Sequence, residues 1–462
     1  MYYINLFLPF IFILGTAVVL HEFGHFAVAK LLGMRVETFS VGFGPRLFGW
    51  RWGTTDYRLS LIPLGGYVKL GGDESNAAVE GAGESDIPLK ERFDLRPRWQ
   101  KFLVMVAGPT MNILTALAIV WAGAMIAGVP VSPASPVVRY TKPGGVAEAA
   151  GLRAGDRILA FNGKENPSWE RVISDVRLSP EQPLPMTVER NGQRVELTVR
   201  PSKYVEDGEG IGDIDFRPDF GELPVMVSDI VAGSPAEQSG LKVNDRIVSV
   251  NGEPVRDEYD VRALIQARPN EMVSLQVERD GQRQEFTPKT SAEGKIGFVP
   301  ASILPQQSVG PIAAAGYAVR RNLEVIRMTG AAFAQIFRGQ RSARESLAGP
   351  IGIARASSKA ANDFGWAGVF AMLGFLSLNL GIVNLLPIPV LDGGAIFLLF
   401  IEAMLGWVGL KMSMAIRERI QQVGFVMLLL LMGFVITNDL LKVASRMTST
   451  EDGKPAVTQP AK

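Results

Sequence analysis

Only two histidines occur in the 462-residue chain, His21 and His25, and they stand four positions apart with Glu22 beside the first. On a helix, positions i and i+4 share a face. Both imidazoles of His21-Glu22-Phe23-Gly24-His25 can therefore grip one metal ion, with the glutamate next to it as general base. The motif closes an apolar run over residues 4–29, where histidine and glutamate are expensive and mark a functional site. The bland alternative is a chance pair at the polar end of a membrane helix. A catalytic Zn2+ takes three protein ligands and keeps a fourth position open. The chain has no cysteine, so the third ligand must be a carboxylate. The acids in or against apolar segments are Asp392, Glu402 and Asp439. Asp392 stands in Asn384-Leu385-Leu386-Pro387-Ile388-Pro389-Val390-Leu391-Asp392-Gly393-Gly394, where two prolines break the helix and turn the aspartate inward. Glu402 can face the lipid headgroups, and Asp439 falls at the far end of an antiparallel span. Asp392 is the expected ligand; its plain alternative is a turn-capping aspartate before Gly-Gly. In such a site zinc acidifies water and polarises a carbonyl, and Glu22 carries the proton to the leaving amine.

These residues need membrane helices to hold them. The chain is 47% hydrophobic and 20% charged, which implies several membrane spans plus a sizeable soluble part. Its net charge of +1 gives no sign of nucleic-acid binding, and the lack of cysteine excludes disulfides, thiolate metal sites and cysteine nucleophiles. Spans are expected at 4–29, 102–126, 366–391 and 423–438. The first is not read as a cleaved signal, because no Lys or Arg precedes Lys30. Lys30 and Arg35 follow span one, and Arg92, Arg96, Arg98 and Lys101 precede span two, so the loop between them is expected in the cytoplasm. Four spans then put both termini and the 130–360 region on the other side. Spans one and three run in the same direction, and their ends meet near the cytoplasmic face. Within the loop, Thr55–Leu61 alternates like a half-buried strand, while Phe39–Gly44 and Leu64–Leu70 are apolar and glycine-rich. A strand edge there could pair with an unwound substrate.

Between spans two and three the chain repeats itself at an offset of 89 residues. AEAAGLRAGDRILAFNG (147–163) pairs with AEQSGLKVNDRIVSVNG (236–252), and VERNGQR (188–194) with VERDGQR (277–283). Each copy reads as a short helix, a strand and a tight Asn-Gly turn. Residues 311–345 are expected as an amphipathic helix on the outer membrane surface, and the polar residues from 446 as a disordered tail.

His21–His25 in the first span, Gly108-Pro109-Thr110-Met111-Asn112 in the second and Asn384–Gly393 in the third occur in this order. On these motifs the chain resembles the site-2 protease family of intramembrane metalloproteases, and each repeat resembles a PDZ domain in circularly permuted form. The resemblance implies an α-helical membrane domain of four transmembrane helices with a membrane-associated β-sheet, plus two tandem PDZ-like α+β domains. The expected divisions are 1–129 (with the β-loop at 35–70), 130–219, 220–305, a helical linker at 306–360, 361–445 and the tail 446–462. Carried over by position, His21, His25 and Asp392 match the zinc ligands and Glu22 the catalytic glutamate. Asn384 matches a substrate-holding residue, Asn112 a position near the active site, and Gly42-Phe43-Gly44 a motif of the membrane-associated sheet; these five are the expected substrate-binding residues. Expected substrates are single-span membrane proteins, namely anti-sigma factors and leftover signal peptides, cut in a bacterial inner membrane. The PDZ-like pair is expected to filter substrates by size, to capture peptide, or both. A non-enzymatic PDZ scaffold with membrane anchors is the rival reading; it gives no reason for Glu22 between two histidines inside a span. A metal transporter would need more intramembrane ligands than the chain has.

Overall fold

A computed structural model describes residues 2–73, 87–131, 136–206, 209–339, 342, 349–410 and 412–451. The chain divides into a membrane unit, Met1–Ala127 with Val309–Thr448, and a second unit, Gly128–Ser308 with Ser449–Lys462, that contains the repeat. The elements of the membrane unit are α1 (Tyr2–Leu31), β1 (Val36–Trp52), β2 (Thr55–Leu70), α2 (Arg98–Ala127), α3 (Pro311–Phe337), α4 (Pro350–Asn384), α5 (Asp392–Trp407) and α6 (Met414–Glu451). Among the described residues, four stretches are long and apolar enough to cross a membrane: Phe7–Leu31, Arg98–Ala127, Pro350–Asn384 and Arg419–Leu441. A helix satisfies its own backbone polar groups, which lipid cannot do.

α1, α2 and α4 form the core of this unit. Ile13 and Ala17 of α1 are buried with Val369 and Leu373 of α4, and Ile119 of α2 packs on them. His21 lies against Asn112 and His25 against Val104, so α1 runs antiparallel to α2. Gly374 meets Ile119 and Gly381 meets Pro109, so α4 is also antiparallel to α2 and runs in the direction of α1. α4 is kinked at Gly365, whose φ of 57° lies in the left-handed region that glycine tolerates.

The loop after α1 folds as a bent sheet. Thr38–Val41 pairs with 66–69 on one side and 56–59 on the other, while 46–52 pairs with 55–60. Its two edges are thus 66–70 and 46–52. A second cluster fastens it to the helices: Val36 and Leu70 are buried with Ala29, Met34, Phe93 and Val104.

Three differences from the sequence reading stand out. The third span does not run unbroken to residue 391. It ends as helix at Asn384, and after irregular backbone a further apolar helix, α5, begins at Asp392. The helix expected on the membrane surface, α3, buries Ala314, Ala318 and Asn322. Trp121 Nε1 of α2 donates to its Pro311 carbonyl at 3.0 Å, and its Thr329 hydroxyl donates to Asn379 Oδ1 of α4 at 3.1 Å. It therefore packs on the bundle. Residues 446–451, expected in the tail, continue α6; the first helix breaker is Gly453. The rest of that tail, 452–462, and part of the expected linker, 343–348, lie outside the described residues.

In the repeat unit the two copies share their order of elements. The first has a sheet of strands 164–165, 157–161, 184–190 and 193–199, with helix Trp169–Leu178. The second has strands 282–286, 275–279, 246–250, 225–230 and 298–302, with helix Glu258–Gln266. Each has its own apolar core, around Phe161 and Ile158 in one and Ile247 and Leu275 in the other. The recurring Asp-Arg and Val-Glu-Arg segments meet in space. Arg190 grips Asp156 at 2.7 Å and the Gly151 carbonyl, and Arg279 grips Asp245 at 2.6 Å and the Gly240 carbonyl. Both Asn-Gly turns, at 162–163 and 251–252, have positive φ at each residue, as a tight hairpin turn demands. The copies diverge after Val199. Only the first carries an extra hairpin, Ser202–Glu206 paired with Glu209–Asp213.

Candidate metal centre

α1 carries His21, Glu22 and His25 through the middle of the three-helix core. Gly24 and Gly108 explain how closely the helices approach. A Cβ on Gly24 would strike the backbone of Ala107, and one on Gly108 would strike the His25 ring. Asp392 arrives from the other end of the chain at the first turn of α5.

Three ligand atoms converge. His21 Nε2 is 3.2 Å from His25 Nε2 and 3.1 Å from Asp392 Oδ2, and His25 Nε2 is 3.5 Å from Asp392 Oδ1. With metal–ligand bonds of about 2.0–2.1 Å, tetrahedral zinc needs ligand atoms about 3.3 Å apart. The spacing fits. Tautomers point the same way. His25 Nδ1 lies 2.7 Å from the Val104 carbonyl and must donate to it, which leaves a lone pair on Nε2 facing the cluster. Two imidazole lone pairs and a carboxylate aimed at one point repel one another unless a cation sits between them.

Asn112 supports the second ring. It is fully buried, and its amide lies 3.3 Å from His21 Nδ1, while its Oδ1 has no hydrogen-bond partner. If His21 gives its Nε2 lone pair to a metal, Nδ1 carries the proton. Turning the amide over then provides Oδ1 as the acceptor. Asn112 thus sits behind the His21 imidazole, fully buried. Asn384, the last residue of α4, points its Nδ2 at the cluster from 3.2 Å.

Glu22 is half-buried beside these groups. The sheet reaches it through its 66–70 edge. Gly66 lies against the Glu22 side chain, where an added Cβ would stand 3.3 Å from Cγ, and the Val68 backbone hydrogen-bonds the carboxylate. Gly42, Phe43 and Gly44 lie one strand further away. Gly42 and Gly44 both have φ of 90°, and Phe43 stacks on Tyr67 with ring centres 6.1 Å apart. They shape the strand that borders Glu22 and do not enter the ligand cluster. The sequence reading missed Gly66 and Val68; the run of small and apolar residues over 64–70 was the available signal. Of the two rejected acids, Asp439 is nearly fully buried, and it accepts hydrogen bonds from the backbone N–H groups of Gly349, Ile351 and Gly352 at the start of α4.

The description of peptidase family M50 matches residues 9–431, which includes every member of the cluster. The regulator of sigma-E protease of Salmonella typhimurium is 32% identical over 459 residues, 94% of this chain and 98% of its own length. RseP of Escherichia coli, also named a regulator of sigma-E protease, is 31% identical over 458 residues, with the same coverage. A Vibrio cholerae chain assigned as a zinc metalloprotease is 32% identical over 469 residues, 95% of this chain and 98% of its own length. With helices apolar enough to cross a membrane and a donor set of zinc geometry, these matches identify the molecule's class. The chain belongs to peptidase family M50 and is an intramembrane zinc metalloendopeptidase of the site-2 protease type.

Proposed function

We propose that His21, His25 and Asp392 hold the catalytic zinc and that Glu22 is the general base for cutting a transmembrane segment of a single-span protein. The observation that carries this reading is the convergence of three ligand atoms, 3.1–3.5 Å apart, from two distant stretches of chain. Zinc held there supplies Lewis acidity at the scissile carbonyl and the attacking water. Glu22 takes the water's proton and passes it to the leaving amine. Asn384, with an amide that both donates and accepts, holds the extended substrate beside the cluster. A helix in lipid must unwind before its carbonyls can be attacked, and its freed backbone groups need partners. The 66–70 edge of the sheet, next to Glu22, offers them by strand addition.

The relatives named for sigma-E regulation favour membrane-bound anti-sigma factors as substrates, with signal-peptide remnants as a second class. The bacterial relatives and the apolar helices favour a bacterial inner membrane, and the basic residues flanking α1 and α2 favour the repeat unit and both termini on the periplasmic side. We read the two copies as PDZ-like domains. The second has a groove of about 260 Å3 between helix Glu258–Gln266 and strand Phe298–Ser302, lined by Val231, Val261, Ile265 and Phe298, which suits an extended peptide.

The test is metal analysis and cleavage of a synthetic transmembrane peptide by purified wild type, Glu22→Gln and Asp392→Ala. Glu22→Gln should keep its zinc and lose hydrolysis, and Asp392→Ala should lose both. A Glu22→Gln variant that cleaves at the wild-type rate would overturn the assignment, and so would a scaffold-like wild type that binds no zinc.

A further inference from the structure

We propose that Gly424 of α6, outside every motif described above, is a positioning residue for the Asp392 carboxylate. The inference rests on the metalloprotease reading of the ligand cluster and adds to it the part that aims its loop-borne member.

Asp392 is delivered by backbone that leaves the helix at Asn384. Leu385 and Leu386 close the last turn of α4, with N–H groups donating to Ile382 and Val383, and Leu391 N–H donates to the Ile388 carbonyl. Between these turns Val390 has φ of 83°. A β-branched residue avoids that region, and it stays there only when its surroundings over-determine it. Part of the constraint is internal. Gly393 and Gly394 press on the carbonyls of Leu385, Leu386 and Ile388, leaving no room for a Cβ at either position. The rest comes from α6. Gly424 is buried, and a Cβ built on it would overlap the Pro389 ring and stand 2.9 Å from the Pro389 carbonyl oxygen. The bare backbone of α6 is thus the wall against which Pro389 rests, one residue before the strained Val390 and three before the ligand. Asp439 fixes the level of that wall, because it ties the other end of α6 to the first turn of α4. Gly433, between these two points on the same helix, faces open space.

A side chain at 424 must push Pro389 away. Val390 then relaxes, and the Asp392 oxygens leave the places from which they face both histidines. The measurement is zinc affinity, by competition with a chelator, together with kcat and KM for peptide cleavage. It compares Gly424→Ala and Gly424→Leu with Gly433→Ala and Gly433→Leu as same-helix controls. Gly424→Leu should weaken zinc binding about tenfold or more, the range of outer-shell changes at metal sites, and kcat should fall with it while KM moves little. Both Gly433 variants should match wild type. A general loss of folding is separated by the pair Gly424→Ala and Gly424→Ala with Pro389→Gly. Removing the Pro389 Cβ that the new methyl strikes should restore zinc affinity at least in part if the effect passes through Pro389. A Gly424→Ala protein with wild-type zinc affinity overturns the proposal, as does a loss that Pro389→Gly leaves wholly uncorrected. A wild type without zinc or hydrolysis would overturn the metalloprotease reading, and this inference with it.

Discussion

His21 and His25 ride on an unbroken helix packed along its length against α2 and α4. Asp392 rides on backbone that leaves the helix at Asn384 and re-enters it at Asp392. The histidine side is set by helical periodicity, and its precision comes from regular geometry. The aspartate side has no such regularity. Its place depends on contacts: Gly393 and Gly394 against carbonyls, Pro389 against α6, and Val390 held at positive φ. One half of the centre is stiff because it is ordinary, and the other because it is over-constrained. Perturbations should therefore act on the two halves in different ways.

The largest effect should come from the regular half. His25→Ala removes one of the three proposed ligands, so zinc content and peptide hydrolysis should both fall below detection. Retained zinc in that variant would mean the metal is held elsewhere. Next is the support behind the other ring: Asn112→Ala should weaken zinc affinity about 10–100-fold without unfolding the protein, as read by chelator competition. On the irregular half, Asp439→Ala leaves three N–H groups at the start of α4 without their acceptor. It should cost about 1–3 kcal/mol of stability, seen as a lowered unfolding midpoint, with a smaller loss of zinc affinity than Asn112→Ala. The smallest effect should be Val390→Gly. Relief of the left-handed strain should raise the stability of metal-free protein by about 1 kcal/mol, while a looser loop holds zinc less tightly. If both stability and affinity drop, the strain does not reside at Val390.

The sequence exposes the regular half more readily for the same reason. His21 and His25 are neighbours in the chain as well as in space, and an apolar span makes their cost evident. Asp392 could be read from its apolar setting and from the absence of any other ligand type. Helix α5 could not, because an apolar helix of 16 residues is shorter than the run of about 20 that identifies a span. Asp439 looked like a misplaced acid because its partners lie about ninety residues earlier. The repeat shows the same boundary. Asp156 and Arg190 recur as Asp245 and Arg279 and pair alike in both copies, whereas the extra hairpin at 202–213 begins where the fixed offset stops holding.

The capping of α4 by Asp439 also bears on biosynthesis. A nascent chain that has emerged only through α5 already contains both histidines and Asp392, but the buried N–H groups of Gly349, Ile351 and Gly352 still lack their carboxylate. The wall behind Pro389 is missing as well. Insertion of α6 provides both at once. One helix therefore serves both as the cap of α4 and as the rest for the loop that carries Asp392, so a fault in how α6 inserts disturbs the two together.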